Sequence, residues 1–254
     1  MPIVTFTSDF GTSDHYVAAV KASLLSAKPD LNLVDISHDI TPFDIAHMAY
    51  TMRSVYQKFP PGSIHLIATN GNGTGPDVLL ISEINGHFFV APDNGVISLL
   101  SEKPLAAVYQ WTDETPSNFL GIKAAALAIK LANGENPDQL GELTTTYTQL
   151  MLRQPKATRK EISGHVIRVD QYGNLITNIK KQDFDILSRD RKYNLHFGRE
   201  QSSNIHHSIN QVEPGEAFFV FNQEGLLMIG INQGQASQLL GLNFDSPVYI
   251  QFQE

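Results

Sequence analysis

Two short segments carry carboxylates on strand-to-helix turns. The first, Ser8-Asp9-Phe10-Gly11-Thr12-Ser13-Asp14, follows an apolar, β-branched run at residues 2–6 that predicts a buried strand. At the carboxyl edge of a parallel sheet, where α/β folds bind ligands, Asp9 is placed to accept the two hydroxyls of a ribose. A structural role fits the same residues: Asp9 holding the turn and Asp14 capping the next helix, which for Asp14 is the favoured reading. The second segment is Val34-Asp35-Ile36-Ser37-His38-Asp39-Ile40-Thr41-Pro42-Phe43-Asp44. His38 is a candidate catalytic group, although a histidine in a polar loop more often partners the backbone. Phe43 either stacks on a ligand ring or joins the core.

Two further clusters lie near the C-terminus. Asp170-Gln171-Tyr172-Gly173-Asn174-Leu175-Ile176-Thr177-Asn178-Ile179 sets short polar groups beside an aromatic ring and a glycine. A purine or an amino-acid head group calls for such donors and acceptors at fixed positions. A hairpin with a Gly-Asn turn calls for the same residues. The segments around Asn222-Gln223 and Asn232-Gln233-Gly234 read, taken alone, as turns between strands.

Periodicity supplies the elements that must position these residues. Tyr16, Val17, Val20, Leu24 and Leu25 share one helix face, and residues 31–36 form a second strand. Thr41 at the cap, Pro42 at the first position and Asp44 completing a capping-box-like pair predict a helix start. Its apolar face is Ile45, Met48, Met52, Val55 and Phe59. Strands at 63–69, 78–84 and 87–91 and an alanine-rich helix at 124–132 complete an α/β N-terminal domain, residues 1–152, with a mainly parallel sheet. Residues 153–162 are polar and aperiodic and read as a linker. From 163 to 254, short strands at 164–170, 175–179, 192–197, 217–222, 226–231 and 247–252 predict a smaller all-β domain, a barrel or sandwich. One helical turn is expected within it at 181–187.

Composition narrows the functional classes. With no cysteine there are no disulfides, thiolate metal sites or cysteine nucleophiles. A formal net charge of −8 argues against nucleic acid, which needs a basic face. His38, His65 and His87 lie in separate segments and His206-His207 are adjacent, a poor pattern for a metal site. The N-terminus lacks a basic leader and a long apolar stretch, so no signal peptide or membrane span is expected, and the expected location is the cytoplasm.

Taken in order, the motifs resemble the family of S-adenosylmethionine (SAM) hydroxide adenosyltransferases and SAM-dependent fluorinases and chlorinases. They are T-S-D-F-G-x-x-D-x-Y-V, V-D-I-S-H-x-I-x-P-x-D-I, F-P-x-G-S-I-H-L, A-P-D-N-G, D-x-Y-G-N-x-x-T-N-I and N-x-x-G-L-L-x-I-x-I-N-x-G-x-A. Each alone is weak; together they span almost the whole chain and are highly specific. The resemblance implies homotrimers with SAM held between subunits, and SAM as substrate or ligand with no separate cofactor. It implies Asp9 on the ribose, Asp14 lining the site and Phe43 near the ribose or sulfonium. Asp170 and Asn174 would hold polar groups of methionine or adenine, Tyr172 would stack, and Asn222-Gln223 would close the far side.

Such enzymes displace methionine from the 5′ carbon of SAM by in-line attack of hydroxide or halide. The hydrolases resemble one another in a D-P-G-V-G loop and an F-H-G-R-D segment thought to prepare the water. Here Asn70 stands where the acid is expected and Leu120 where the histidine is expected. Asparagine positions a water but does not take its proton near neutral pH. The resemblance therefore leaves three readings: a hydrolase-type adenosyltransferase with Asn70 at the catalytic position, a catalytically impaired SAM- or adenosine-binding homologue, and a halogenase.

Overall fold

The computed structural model describes residues 2–69, 78–111 and 119–253. The chain divides into two compact units, Met1–Leu152 and Arg153–Glu254.

In the first unit the described elements are β1 (Ile3–Ser8), α1 (Tyr16–Ala27), β2 (Asn32–Ser37), α2 (Ile45–Val55), β3 (Ile64–Ala68), β4 (Leu79–Ile84), β5 (His87–Pro92), α3 (Val96–Leu99), β6 (Val108–Trp111), α4 (Leu120–Ala132), α5 (Pro137–Leu140) and β7 (Glu142–Leu143). They build a sheet in the order β2-β1-β3-β5-β4-β6-β7. The β2-β1-β3-β5 half is parallel, and β4, β6 and β7 add to it antiparallel. The β4–β5 turn is Asn85-Gly86, both left-handed at φ 52° and 79°, as a two-residue hairpin turn demands.

The alternation along β1 sorts its two faces. Val4 and Phe6 point toward α1 and α4 and join a core with Val20, Leu24, Leu66, Ala125 and Ala128. Thr5 and Thr7 point the other way. Thr7 donates to Met52 Sδ of α2 at 3.1 Å, and Thr5 Oγ1 lies 2.8 Å from His65 Nδ1. On that face Met48, Ala49, Met52, Ile67, Leu80, Phe89 and Ile97 form a second core under α2 and α3. The strands are thus covered on both sides, the arrangement parallel sheets require.

Two helix starts differ from the sequence expectation. Asp14 is exposed and does not cap α1; His15 occupies that position with no side-chain capping bond. For α2 the cap is Asp44, whose carboxylate accepts the His47 N–H at 2.8 Å, and not Thr41. The reason is a tertiary contact: Phe43 is left-handed (φ 65°) with its N–H on Asp9, so the turn breaks between Pro42 and the helix.

The second unit contains β8 (Lys156–Ala157), β9 (Glu161–Val169), β10 (Leu175–Lys180), α6 (Lys181–Leu187), β11 (Tyr193–Phe197), β12 (Glu200–Ser202), β13 (Ala217–Phe221), β14 (Leu226–Ile231), α7 (Ala236–Leu240) and β15 (Pro247–Phe252). Its antiparallel, curled sheet runs β12-β11-β15-β9-β10-β14-β13, with β8 on β9. Part of the polar stretch read as a linker is therefore sheet. The long β9 serves both halves, pairing with β15 through 161–165 and with β10 through 166–169. Ile162, Val166, Leu175, Leu195, Leu227, Ile229 and Ile250 fill the interior.

A buried polar chain crosses the first unit. His65 Nε2 lies 3.2 Å from His87 Nδ1, so one proton is shared between two neutral rings, with Thr5 on the far side. Burial, reinforced by the neighbouring His87, lowers the His65 pKa to about 3, and burial also lowers that of His87. The unfolded chain regains a histidine pKa of about 6.5 and takes up protons first as the pH falls. The contribution of His65 is thus fully present above about pH 6.5 and is lost as the pH falls from there toward 3. Urea unfolding should show the natural chain losing about 2 kcal/mol more than His65→Gln between pH 7.5 and pH 5. Parallel losses in the two proteins would refute this assignment.

Candidate functional site

The chain leaves β1 for β2 on one side and returns past it to β3 on the other. The carboxyl ends of β1 and β3 therefore flank a topological switch point, the crevice where open α/β sheets bind ligands. Asp9 is the first residue beyond β1 and is only 7% exposed. Its Oδ2 accepts the Phe43 N–H at 3.1 Å, so the β1 end and the approach to α2 meet at this carboxylate. Of the sequence candidates in this unit, Asp9 and Phe43 are thus brought together. Phe43 itself is 66% exposed in its left-handed conformation, which ties backbone strain to the same spot.

The loop carrying Asp9 is fixed from several directions. Ser8 Oγ lies 2.8 Å from His38 Nδ1, and the Gly11 N–H donates to the His38 carbonyl at 2.8 Å. Gly11 is left-handed at φ 68°, which a side chain would resist. Phe10, Tyr16 and Phe119 pack as a triangle with ring centroids 5.2–6.0 Å apart, seating the loop against α1 and the start of α4. Behind His38, its Nε2 lies 3.3 Å from Asp35 Oδ1, and Asp35 is paired with Lys21. Burial would raise the Asp35 pKa, but hydrogen bonds and charge from Lys21 and His38 outweigh it and hold the carboxyl below its ordinary value.

Sequence reasoning did not single out Thr69 and Asn94. They follow the neighbouring parallel strands β3 and β5, and Asn94 Nδ2 donates to Thr69 Oγ1 at 2.9 Å. Asn94 also accepts the Val96 N–H at 3.1 Å, and Asp93 accepts the Thr148 N–H at 2.7 Å. The A-P-D-N-G motif was visible; its place at the same sheet edge as Asp9 required the strand order. Asn70 lies outside the described residues. Leu120, at the first position of α4, is buried in the apolar core beside Val20 and Leu24.

In the second unit, Asp170, Tyr172 and Asn174 share one turn. Asp170 Oδ1 accepts the N–H groups of Tyr172 and Asn174, both at 2.9 Å, and its Oδ2 accepts Asn174 Nδ2–H at 3.0 Å. Gly173 is left-handed (φ 78°), and a Cβ there would come within 2.9 Å of Gln235. Asn174 is buried against Gly230, where an added Cβ would meet Asn174 Oδ1 at 2.4 Å and Phe218 at 2.0 Å. Tyr172 is 76% exposed and is the candidate of this turn presented to solvent. Asn222 Oδ1 accepts the N–H groups of Glu224 and Leu226 and so closes the β13–β14 hairpin, with Gln223 exposed at its tip.

Among the described residues, no group of three or more His, Cys, Asp or Glu side chains is placed to hold a metal ion. No helix there is long and apolar enough to cross a membrane.

Residues 4–141 match the SAM hydroxide adenosyltransferase N-terminal domain, and residues 164–249 match the C-terminal domain of the same family. The chain belongs to the SAM hydroxide adenosyltransferase family. It is 29% identical over 260 residues to an (R)-S-adenosyl-L-methionine hydrolase of Methanocaldococcus jannaschii, covering 96% of this chain and 94% of that protein. The corresponding hydrolase of Thermus thermophilus is 27% identical over 260 residues, with 96% and 98% covered. A fluorinase of an Actinoplanes species is 25% identical over 219 residues, with 72% and 74% covered. A crystal structure of a conserved protein from Thermotoga maritima superposes with a TM-score of 0.87 at 27% identity, covering 98% of this chain and all of the other.

The strained Phe43 gives a test that separates folding from binding. Replacement by glycine removes a left-handed penalty of about 1 kcal/mol from a largely exposed residue. Phe43→Gly should therefore melt no lower than the natural chain while binding SAM or adenosine more weakly. A lower melting temperature with unchanged affinity would place the ring in the fold and not at the ligand.

Proposed function

We propose that the chain binds SAM and acts as a hydrolase-type adenosyltransferase, releasing adenosine and methionine. The observation that carries this reading is Asp9: a nearly buried carboxylate at the switch point of the sheet, aimed by the Phe43 N–H. Its setting suits two adjacent ribose hydroxyls. Membership of the family, and relatives named as (R)-SAM hydrolases over nearly the full chain, support the same conclusion.

In the proposed reaction, the oxygen of water attacks C5′ in line with the C5′–S bond. That bond breaks, its electron pair stays on sulfur, and the water proton is released to solvent. The sulfonium leaves as a neutral thioether, so no acid is required on the leaving group. What remains for the protein is to hold the nucleoside and align the nucleophile. Under this reading Asp9 holds the ribose, Phe43 packs beside it and Asp14 lines the approach. Asp170, Tyr172, Asn174, Asn222 and Gln223 serve the rest of the ligand, and Asn70 orients the water.

A specific observation favours a second reading, a binding protein with impaired chemistry. Leu120 is buried in apolar core, so this position supplies no group to prepare a water. General-base help is worth roughly 10²- to 10⁴-fold, the size of loss that would separate the two readings.

The deciding experiment incubates the purified protein with SAM and follows products by chromatography. Adenosine with methionine is the expected outcome; 5′-halo-adenosine in the presence of halide, or unchanged SAM, would overturn it. Calorimetry on Asp9→Ala should show adenosine binding weakened by about 1–3 kcal/mol, the worth of lost charge-assisted bonds. Unchanged affinity would remove Asp9 from the site.

The same reading includes a homotrimer with composite sites, because the candidate ligand groups fall in both units of the chain. Light scattering should give three times the chain mass at micromolar concentration. A monomer that still binds SAM would exclude composite sites.

A further inference from the structure

We propose that Asp35, His38 and Ser8 form a positioning relay that aims Asp9, so that recognition of the ribose hydroxyls depends on side chains that do not touch the ligand. The proposal rests on the reading of Asp9 as the ribose-binding carboxylate and adds to it the groups that set its direction.

The proton assignments along this chain follow from its ends. Asp35 is anionic, held so by Lys21, and its Oδ1 faces His38 Nε2 at 3.3 Å. The contact misses hydrogen-bond geometry, but a carboxylate charge this close favours the proton on Nε2, which leaves a lone pair on Nδ1. Ser8 Oγ stands 2.8 Å from that nitrogen and is fully buried, so its hydroxyl must donate to the ring. With its proton committed, Ser8 Oγ presents lone pairs to the Phe10 N–H, 3.5 Å away. In the opposite tautomer Ser8 Oγ would accept from both the ring and the Phe10 N–H, and its own buried proton would lose the ring as acceptor. The His38 ring is held for this role by Phe6, at a centroid distance of 4.6 Å.

Asp9 sits inside this frame. Ser8 precedes it, Phe10 follows it and leans on Ser8, and Gly11 hangs from the His38 carbonyl. One histidine therefore fixes the loop twice, by ring and by backbone. The substitutions below remove only the ring contact. Losing it leaves a buried hydroxyl without its acceptor next to the carboxylate and frees Asp9 to turn from the direction set by the Phe43 N–H.

The test compares adenosine with 2′,3′-dideoxyadenosine by calorimetry. The natural chain should prefer adenosine. His38→Ala should cut adenosine affinity about tenfold while changing that for dideoxyadenosine less than about twofold, because only the hydroxyl contacts depend on Asp9. His38→Asn, whose side-chain oxygen reaches the place of Nδ1, should restore most of the preference. Ser8→Ala should also lower it, and Ser8→Ala with His38→Ala should bind adenosine no more weakly than Ser8→Ala alone, since Ser8→Ala already removes the contact through which the His38 ring acts. If His38→Ala does not fold, Ser8→Ala and His38→Asn carry the test. An intact adenosine preference in folded His38→Ala or Ser8→Ala, or fully additive losses, would overturn the relay alone. A natural chain that binds both nucleosides equally would overturn the ribose reading of Asp9 and the relay with it.

Discussion

β1 is hydrogen-bonded along both edges and covered by helices on both faces, so no polar group on it reaches water. Much of the first unit follows from that constraint. Thr5, Thr7 and Ser8 are each completely buried, and each hydroxyl must find a partner or cost about 1–3 kcal/mol. The partners are His65 on β3, Met52 on α2 and His38 after β2, so one six-residue strand prescribes where three other elements must lie. The pairing stops at Ser8, and the next residue is the one that brings a charge to the sheet edge. Asp9 is well aimed because the strand before it has no freedom.

How far this was legible depends on the range of the interaction. The strands were readable, since alternation and β-branched runs are local; so was the turn-rich texture of the second unit. The family motifs were readable too, because they are ordered along the chain and do not depend on the fold. Short strands such as β6 and the edge strand β7 were missed, having too few residues to show a period. The start of α2 was misplaced because Thr41-Pro42 has the composition of a cap. Its actual geometry is set by Phe43 turning left-handed to put its N–H on Asp9, 34 residues away in sequence. For His38 the sequence offered a catalytic group or a backbone partner. Its carbonyl does bond the backbone, while its ring turns inward to a buried serine, a contact that no local pattern encodes.

The two units treat aspartate differently, and the difference bears on which residues are available to a ligand. Asp9 and Asp170 each follow a strand and precede a left-handed glycine, Gly11 two residues on and Gly173 three residues on. Asp170 is engaged by its own turn, accepting from Tyr172 and Asn174 on both oxygens, which makes it a brace for the hairpin. Asn222 does the same for its hairpin. The rigid turns carry exposed Tyr172 and Gln223. In the proposed reading charge recognition rests on Asp9 of the first unit.

That division suits the chemistry the family name describes. A sulfonium is a leaving group that departs neutral, so transfer from SAM makes no demand for a proton donor on the departing atom. Rate then rests on alignment and on how far the nucleophile is stripped of water. In the proposed reading a carboxylate held from its own strand, from the turn before α2 and through His38 fixes the sugar and addresses the first of these directly. In the proposed reading Leu120, packed by α4 into the apolar core, bears on the second of these. In that reading binding and nucleophile preparation rest on different residues and are separable by substitution.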